Sequence, residues 1–181
     1  MSPNTHKYFW LLRQDQERQG LLKKNPHSRW ATYTHLTGKA PYDDDGVPAK
    51  LRDVCDRRPI NQRTVPMRYV PSDGRAELER AACPSPFRFS TDALSAFNGF
   101  VLTPAASEIS TMWLPKGPNV ADGYEKCSPS RMGFGWCNAP AVQGAFYDDM
   151  KNNMQQHTQD QLCSHVDDFM LSADQLSLIH I

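Results

Sequence analysis

The sequence predicts an α+β fold in which an antiparallel sheet packs on helices. Within residues 82–92, phenylalanines alternate with polar side chains up to Asp92, which is the period of a half-buried strand. Two short apolar runs flank Asp167 and Asp168, a pattern typical of a hairpin with acidic residues at its turn. Residues 141–157 lack proline and repeat apolar side chains at intervals of four, which predicts one helix.

The other segments are assigned from local patterns. Residues 8–24 carry apolar residues at both ends and Gly20 near the end, which predicts a short helix. Residues 37–50 are dense in glycine, proline and aspartate and predict a loop, whose three adjacent carboxylates we interpret as a solvated turn. Residues 116–131 are rich in turn residues and are expected to be exposed. The helix predicted after Pro140 presents an apolar face made of Val142, Phe146, Met150 and Met154.

Composition argues against a membrane-spanning protein and a disulfide framework. The chain has 181 residues, 39% of them hydrophobic and 22% charged, with 14 prolines, so we expect a loop-rich globular chain. No stretch approaches the roughly 20 apolar residues of a membrane span, and the first residues lack the regions of a signal peptide. The five cysteines form an odd set without C-x-x-C spacing. We therefore expect an intracellular protein with free thiols and no membrane partner.

The net charge of zero hides two halves of opposite sign. Residues 1–90 hold 16 Lys and Arg against 10 Asp and Glu, a net of +6, whereas residues 91–181 hold 4 against 10, a net of −6. A basic half suits a polyanion such as nucleic acid or a triphosphate, and an acidic half can hold cations that bridge to the same phosphates. Two solvated surfaces of opposite sign explain the same counts, so charge leaves both interpretations open.

Asp167 and Asp168 are the residues that most suggest chemistry. Adjacent carboxylates at a tight turn repel one another and raise one another's proton affinity unless a cation compensates. Mg²⁺ binds through one or two carboxylates plus substrate phosphates, and two such ions can clamp an in-line phosphoryl displacement. Asp92, at the end of the other predicted strand, is the candidate third carboxylate. The alternatives are a solvated turn and a phosphohydrolase metal site that includes His165.

Several segments, taken together, resemble the reverse transcriptases of long-terminal-repeat retrotransposons and retroviruses. Four of them are LRDVCDRRPIN (51–61), FSTDALSAFNGF (89–100), MGFGWCNAPA (132–141) and HVDDFMLS (165–172). They follow the family's order, and Asp92 precedes Asp167 by 75 residues, which is compatible with that family's palm. A fifth segment, SRWATYTHLTGK (28–39), is similar to the family's fingers. The resemblance implies a right-hand polymerase palm, a ferredoxin/RRM-like antiparallel sheet packed on helices, with partial fingers and no thumb.

The resemblance implies that Asp92, Asp167 and Asp168 are catalytic and bind metal. The expected cofactor is a pair of Mg²⁺ ions, with Mn²⁺ as an alternative. The expected reaction is attack of a primer 3′-hydroxyl on the α-phosphate of a deoxynucleoside triphosphate, with pyrophosphate leaving. Two departures from the family adjoin this site, since His165 stands where tyrosine is usual and Gly133 where proline is usual. They leave open a second interpretation, a catalytically decayed nucleic-acid-binding remnant.

Further residues match the family's nucleotide-binding positions. They are Lys39, Arg52, Phe97, Phe134 and Gly135. Arg52 suits a triphosphate because its guanidinium is a planar, always-charged fork. Phe97 would lie under the sugar, with an ordinary core position as the alternative, and Gly135 would let the backbone approach closely. Arg58 and Asn61 match positions that brace the fingers.

The resemblance also implies partners and domains. The partners are an RNA or DNA template with its primer, deoxynucleoside triphosphates, and the rest of a polyprotein that carries a thumb and a ribonuclease H region. The expected divisions are a lead-in at 1–27, fingers at 28–88, a palm at 89–174 and a truncated end at 175–181. The last residues, SLIHI, match nothing in the family and are interpreted as an assembly scar.

Overall fold

The protein is described here from a computed structural model. The backbone is described for residues 3–42, 48–70, 79, 87–93, 96–153, 162–165 and 168–173. Side chains are described in the same ranges except at 39–42, 48–51, 87–89, 91–92, 151–152, 162–165 and 168–173. The chain forms two compact units. The first unit comprises Met1–Val65 and Phe97–Cys137, and the second unit comprises Pro66–Ala96 and Asn138–Ile181.

Helices and strands both occur in the described residues, which confirms the α+β prediction. Their bounds, in chain order, are α1 Pro3–Arg18, β1 Leu22–Lys24, β2 Thr32–Tyr42, β3 Pro48–Cys55, α2 Arg58–Asn61, β4 Phe87–Asp92, a 3-10 helix Ala96–Gly99, α3 Pro104–Ile109, β5 Met112–Pro115, a 3-10 helix Val120–Asp122, β6 Tyr124–Pro129, α4 Ala139–Asn152, β7 Leu162–His165 and β8 Asp168–Ala173. None of the described helices is long and apolar enough to cross a membrane.

A mixed five-stranded sheet, ordered β1-β6-β5-β2-β3, organises the first unit. Its neighbouring strands are antiparallel except β2 and β5, which run parallel. The loop predicted at 37–50 is wrong at both ends, because the β2–β3 hairpin extends through 37–42 and 48–50; residues 43–47 lie outside the described part. The strand accommodates Pro41 because the register shifts between Lys39 and Tyr42, as at a β-bulge.

Helix α1 is displaced from the helix predicted at 8–24. It begins at Pro3, a residue suited to the first helical turn, and it ends at Arg18. Gly20 has φ +71°, and the amides of Gly20 and Leu21 donate to the Glu17 and Gln16 carbonyls, which is a Schellman C-cap. The glycine therefore terminates the helix instead of lying within it, and the residues from Leu22 onward pair as strand β1 with β6.

Strand β6 contradicts the prediction that residues 116–131 are exposed turn. Only 116–123 connect two strands, and the second half of β6 is buried. Its polar residues tolerate burial because they are hydrogen bonded, as where the Ser128 and Thr111 hydroxyls lie 2.7 Å apart. These residues have a low intrinsic preference for strands. They form a strand here because their buried hydroxyls are hydrogen bonded within the sheet.

The hydrophobic core of the first unit lies between α1 and the sheet. Its buried members are Phe9, Leu22, Met112, Leu114 and Cys127, with Leu36 and Cys55 packed against them. Fully burying one such side chain contributes about 1.5–3 kcal/mol. Burial raises the pKa of the Cys127 thiol to about 11. Among the described cysteines, Cys55, Cys127 and Cys137 form no disulfide bond.

Arg13 fixes α1 to the sheet through a buried charge. Its side chain is 3% exposed and forms ion pairs with Glu17 and Glu125, each at 2.7 Å. It also donates to the Pro115 carbonyl. Burial opposes the charged form, but the two carboxylates outweigh it and raise the pKa of the Arg13 guanidinium. Lys24 adds a second cation 3.4 Å from Glu125, so α1, β1 and β6 share one ionic network.

The second unit contains a three-stranded antiparallel sheet, ordered β4-β8-β7, and helix α4. The strand predicted to end at Asp92 is confirmed as β4, and the two apolar runs form the predicted hairpin as β7 and β8. An extended segment packs on α4, where the Tyr69 hydroxyl donates to Asp148 at 3.2 Å. A Cβ at Gly144 would lie 2.2 Å from the Tyr69 hydroxyl oxygen, so only glycine permits this approach.

The buried face of α4 differs from the predicted one. Phe146, expected on the apolar face, is 52% exposed. The buried positions are instead Ala139, Ala141, Gln143 and Tyr147. The prediction followed the large apolar residues, which recur at intervals of four, whereas the buried face contains two alanines. The two polar side chains of this face pair with one another, since the Gln143 amide donates to the Tyr147 hydroxyl at 3.3 Å. The helix begins at Ala139 and ends at Asn152, and residues 154–157 lie outside the described part.

Candidate functional site

The strands of the second unit bring two of the three predicted carboxylates together. Asp168 opens the central strand β8 and lies opposite Asp92 on one side and opposite His165 on the other. Directly opposed residues of an antiparallel pair have Cα atoms about 4.5–5.5 Å apart. The backbone therefore aligns Asp92, Asp168 and His165 in one row across the ends of the strands.

This row is suited to a divalent cation. Hard cations such as Mg²⁺ bind carboxylate oxygens, and two aspartates on adjacent strands can supply them at one place. Asp167, which follows His165 by two residues, lies outside the described residues, as do the side chains of Asp92 and Asp168. Across the described side chains, no group of three or more histidine, cysteine, aspartate or glutamate residues could hold a metal ion.

Arg52 lies in the first unit on an exposed face of the β2–β3 hairpin. It is opposite Thr37, and the exposed pair His35 and Val54 lies two residues along the same hairpin, so these side chains share one face. Arg52 forms no ion pair with any described side chain. Lys39 lies farther along β2, with its side chain outside the described set.

Phe97 and Phe134 form an aromatic pair in the first unit. Their ring centroids are 5.2 Å apart and their planes cross at 89°, an edge-to-face contact worth about 0.5–1.5 kcal/mol. Phe134 is 67% exposed, and Phe97 is half-buried and lies outside the core cluster. Phe97 is therefore not a member of the described core cluster, and the pair presents apolar surface.

The segment after Phe134 requires glycine and is held by Asn61. Gly135 has φ +91°, in the left-handed region that favours glycine, and its Cβ position lies 3.2 Å from the Cγ atom of Arg57. The Asn61 amide donates to the Gly135 carbonyl at 2.8 Å, and its oxygen accepts from the Cys137 amide at 3.1 Å. Asn61 therefore holds this segment through both ends of its side-chain amide, while the bracing role predicted for it in the fingers stays a prediction.

Arg58 pairs with Asp56 at the start of α2. Their side chains approach to 2.8 Å, and the Asp56 carboxylate also accepts from the Arg58 backbone amide. These contacts lower the pKa of the Asp56 carboxyl to about 2. The pair is exposed, so it orients the chain between β3 and α2 more than it stabilises the fold.

Sequence reasoning assigned no role to Arg57 or Trp136. Arg57 is buried, its Nη1 donates to the Ser110 carbonyl at 2.9 Å, and its guanidinium lies 5.5 Å from the Trp136 ring centroid. The alternation of exposed and inward-facing residues along β3 is the sequence feature that could have indicated the burial of Arg57. Asp53 and Cys55 face inward, and an alternation of two places residue 57 on the same side.

Comparisons with known proteins relate this chain to others by fold alone. No family model and no curated protein matched the sequence. Among solved structures, the native prototype foamy virus protease-reverse transcriptase matches with a TM-score of 0.70 and 20% identity, over 97% of this chain and 21% of that one. A CSH mutant of the same protein matches with a TM-score of 0.70 and 21% identity, over the same shares.

A third match is the foamy viral protease-reverse transcriptase dRH in complex with double-stranded DNA. Its TM-score is 0.68 at 20% identity, over 98% of this chain and 27% of that one. The chain therefore has a reverse transcriptase-like fold. It spans only about a fifth to a quarter of the length of the solved structures it resembles.

Proposed function

We propose that this chain is part of an RNA-directed DNA polymerase of a retroelement, a reverse transcriptase that extends a primer with deoxynucleotides. The observation that carries the proposal is the register that sets Asp92 opposite Asp168 at the strand ends. The reverse transcriptase-like fold and the order of the sequence motifs support it independently. Fold similarity alone assigns no activity, so the carboxylate row is the decisive element.

In this proposal Asp92, Asp167 and Asp168 hold two Mg²⁺ ions, or Mn²⁺ in their place. When bound, the ions lower the pKa of the primer 3′-hydroxyl and neutralise charge on the leaving pyrophosphate. Through the ions that they would hold, the carboxylates would set the 3′-oxygen in line with the α-phosphate. The 3′-hydroxyl would release its proton to solvent, and its oxygen would form the new bond to the α-phosphorus as the bond to pyrophosphate breaks, so the protein would supply orientation instead of covalent chemistry.

Residues of the first unit are proposed to bind the nucleotide. Arg52 and Lys39 would neutralise the triphosphate, and the exposed Arg52, which has no ion pair with a described side chain, suits that role. Phe97 would contact the sugar and, through its contact with Phe134, exclude a 2′-hydroxyl. Gly135 would allow the backbone to approach the nucleotide closely.

The proposed partners are a template with its primer and the rest of a polyprotein, including a thumb and a ribonuclease H region. The net charge of +6 in residues 1–90 supports binding of a phosphate backbone. A solved structure with the same fold is a complex with double-stranded DNA, which supports a duplex as the substrate. We keep the division into fingers at 28–88 and palm at 89–174 as part of this proposal.

Primer extension tests the proposal directly. The chain, continued through its native thumb region, is expected to extend a primer on a poly(rA) template with Mg²⁺. Replacing Asp92, Asp167 or Asp168 with Asn should each abolish extension. Asp149→Asn, which alters an exposed carboxylate on α4, is the matched control and should leave extension unchanged. Absence of extension by the unmodified, folded protein would exclude the polymerase function.

The second candidate is a catalytically decayed remnant that retains nucleic-acid binding. The observation in its favour is His165, which lies opposite Asp168 where the resembled family has tyrosine. A remnant would bind a primer–template duplex without extending it, and His165→Tyr would not restore extension. Extension by the unmodified protein excludes this candidate, so the one assay separates the two functions.

A further inference from the structure

A partly enclosed cavity in the first unit has an unusual polar wall. Its volume is about 120 Å³. Its polar lining consists of Gln16, Asp53, Arg57, Asn98 and Arg131. One water needs about 10–15 Å³ on a comparable measure, so the cavity has room for a polyatomic ion or several waters.

Arg57 is the feature of this wall that lacks an internal explanation. The residue is 5% exposed, yet no described carboxylate lies within ion-pair distance of its guanidinium. Its Nη1 donates to the Ser110 carbonyl, while its Nε has no hydrogen-bond partner among the described residues. The free-energy cost of leaving a buried charged donor without a hydrogen-bond partner exceeds the average contribution of one hydrogen bond to stability. The contact with the Trp136 ring offsets part of this cost but does not satisfy the Nε–H.

The neighbouring polar groups add donors and one carboxylate. Arg131 donates from one Nη to the Gly99 carbonyl at 3.3 Å, which leaves its other donors for the cavity. Asp53, the acid in the wall, accepts from the Gln16 amide at 3.3 Å. Two arginines against one aspartate leave the lining with a net positive charge.

We propose that this cavity is a binding site for one phosphate-sized oxyanion, held by Arg57 and Arg131. Its oxygens would accept from the part of the Arg57 guanidinium that lines the cavity and from the Arg131 donors that are not bonded to Gly99, and such charge-assisted bonds are of the stronger kind. Asp53 already attracts the Arg57 guanidinium, and a bound anion would add the direct ionic partner that this charge lacks among the described residues. Burial already lowers the pKa of the Arg57 guanidinium, and a bound anion would oppose that shift. Phe134 of the proposed nucleotide site also lines this cavity, but binding of inorganic phosphate can be tested without nucleotide transfer.

Titration calorimetry and thermal unfolding of the full chain with inorganic phosphate test the site. Saturable one-to-one binding is expected. At ten times its Kd, phosphate should raise Tm by about 3–6 °C. A competition experiment with deoxyadenosine monophosphate then distinguishes the two sources of the ligand. If the nucleotide displaces inorganic phosphate, the site accepts a nucleotide phosphate; if it does not, the site takes free phosphate. No saturable phosphate binding by the folded chain overturns the proposal.

Three substitutions locate the binding. Arg57→Gln should weaken phosphate about 30-fold or more, because one partner of a buried charge pair is lost. Arg58→Gln is the matched control, since it removes a neighbouring but exposed cation that is paired with Asp56, and it should leave the Kd within about twofold. Asp53→Asn removes the carboxylate that repels the anion and should tighten binding several-fold.

The set of three variants still tests the proposal if Arg57→Gln does not fold. In that case tightening by Asp53→Asn supports the site, and an unchanged or weaker affinity overturns it. Equal losses from Arg57→Gln and Arg58→Gln would mean that phosphate associates with the basic surface in general, which also overturns the proposal.

Discussion

Removing the buried cation of α1 is expected to destabilise the first unit strongly. Arg13→Met keeps most of the apolar stem but deletes the guanidinium that pairs with Glu17 and Glu125 at 2.7 Å. Breaking a buried ion pair by removing one partner costs about 3–5 kcal/mol, because the remaining charge is left uncompensated. Here the carboxylates are 26% and 21% exposed, and Lys24 still pairs with Glu125, so we expect the lower limit, about 3 kcal/mol.

That loss corresponds to a fall in Tm of about 6–12 °C for a chain of this size. The matched control is Arg18→Met on the same helix, whose partner Asp15 lies 3.7 Å away with both side chains largely exposed. It should cost less than about 1 kcal/mol and should lose even that in high salt, whereas the Arg13 effect should persist. Circular dichroism melts of both variants in low and high salt measure the difference. A loss for Arg13→Met no larger than that for Arg18→Met would refute the reasoning.

Three further predictions concern single groups. In Arg58→Gln, the pKa of Asp56 should rise from about 2 toward its ordinary value near 3.8, as followed by carbon NMR of the carboxyl. Because the folded-state pKa is depressed, the pair's contribution to stability should be present above about pH 4 and lost as pH falls through about 2. At pH 8, a thiol reagent should modify exposed Cys137 and not buried Cys127, whose pKa is raised to about 11; mass spectrometry of native and unfolded protein shows which reacts. Gly135→Ala should lower stability by about 1–2 kcal/mol in denaturant unfolding, because a side chain strains the left-handed backbone.

Matched controls accompany these measurements. Gly99→Ala should be far milder than Gly135→Ala, because no atom lies within 4 Å of its Cβ position and its φ is not left-handed. Labelling of Cys127 in the folded protein at the rate seen after unfolding would contradict its burial.

The elements that could be predicted were strands whose apolar residues form a local pattern in the sequence. These are the alternating phenylalanines of β4 and the two apolar runs of β7 and β8. Strand β6 could not be predicted, because its buried hydroxyls are satisfied by partners such as Thr111 that are remote in sequence. Likewise, the residues of 8–24 divide into helix and strand because Gly20 adopts a positive φ, a choice that local propensity leaves open.

At the candidate site, sequence order predicted two aspartates that the strand register places opposite one another. Asp92 and Asp168 are brought together by strand register, which a motif with the correct order can anticipate. Arg57 could not be assigned from its residue type, because arginine is rarely buried without a partner. Its burial follows from helix α2 starting directly after β3, a tertiary arrangement that composition does not specify.

The strand order of the first unit constrains when the chain can fold during synthesis. Strand β1 pairs with β6, so Leu22 finds its partner Pro129 only after more than a hundred further residues have been made. The intervening segment 66–96 belongs to the second unit, which is itself completed only by residues after 137. Until β6 leaves the ribosome, β1 has a bare strand edge and α1 lacks two of the strands that build its core. Folding of the first unit is therefore expected to be late and to be the step most exposed to aggregation.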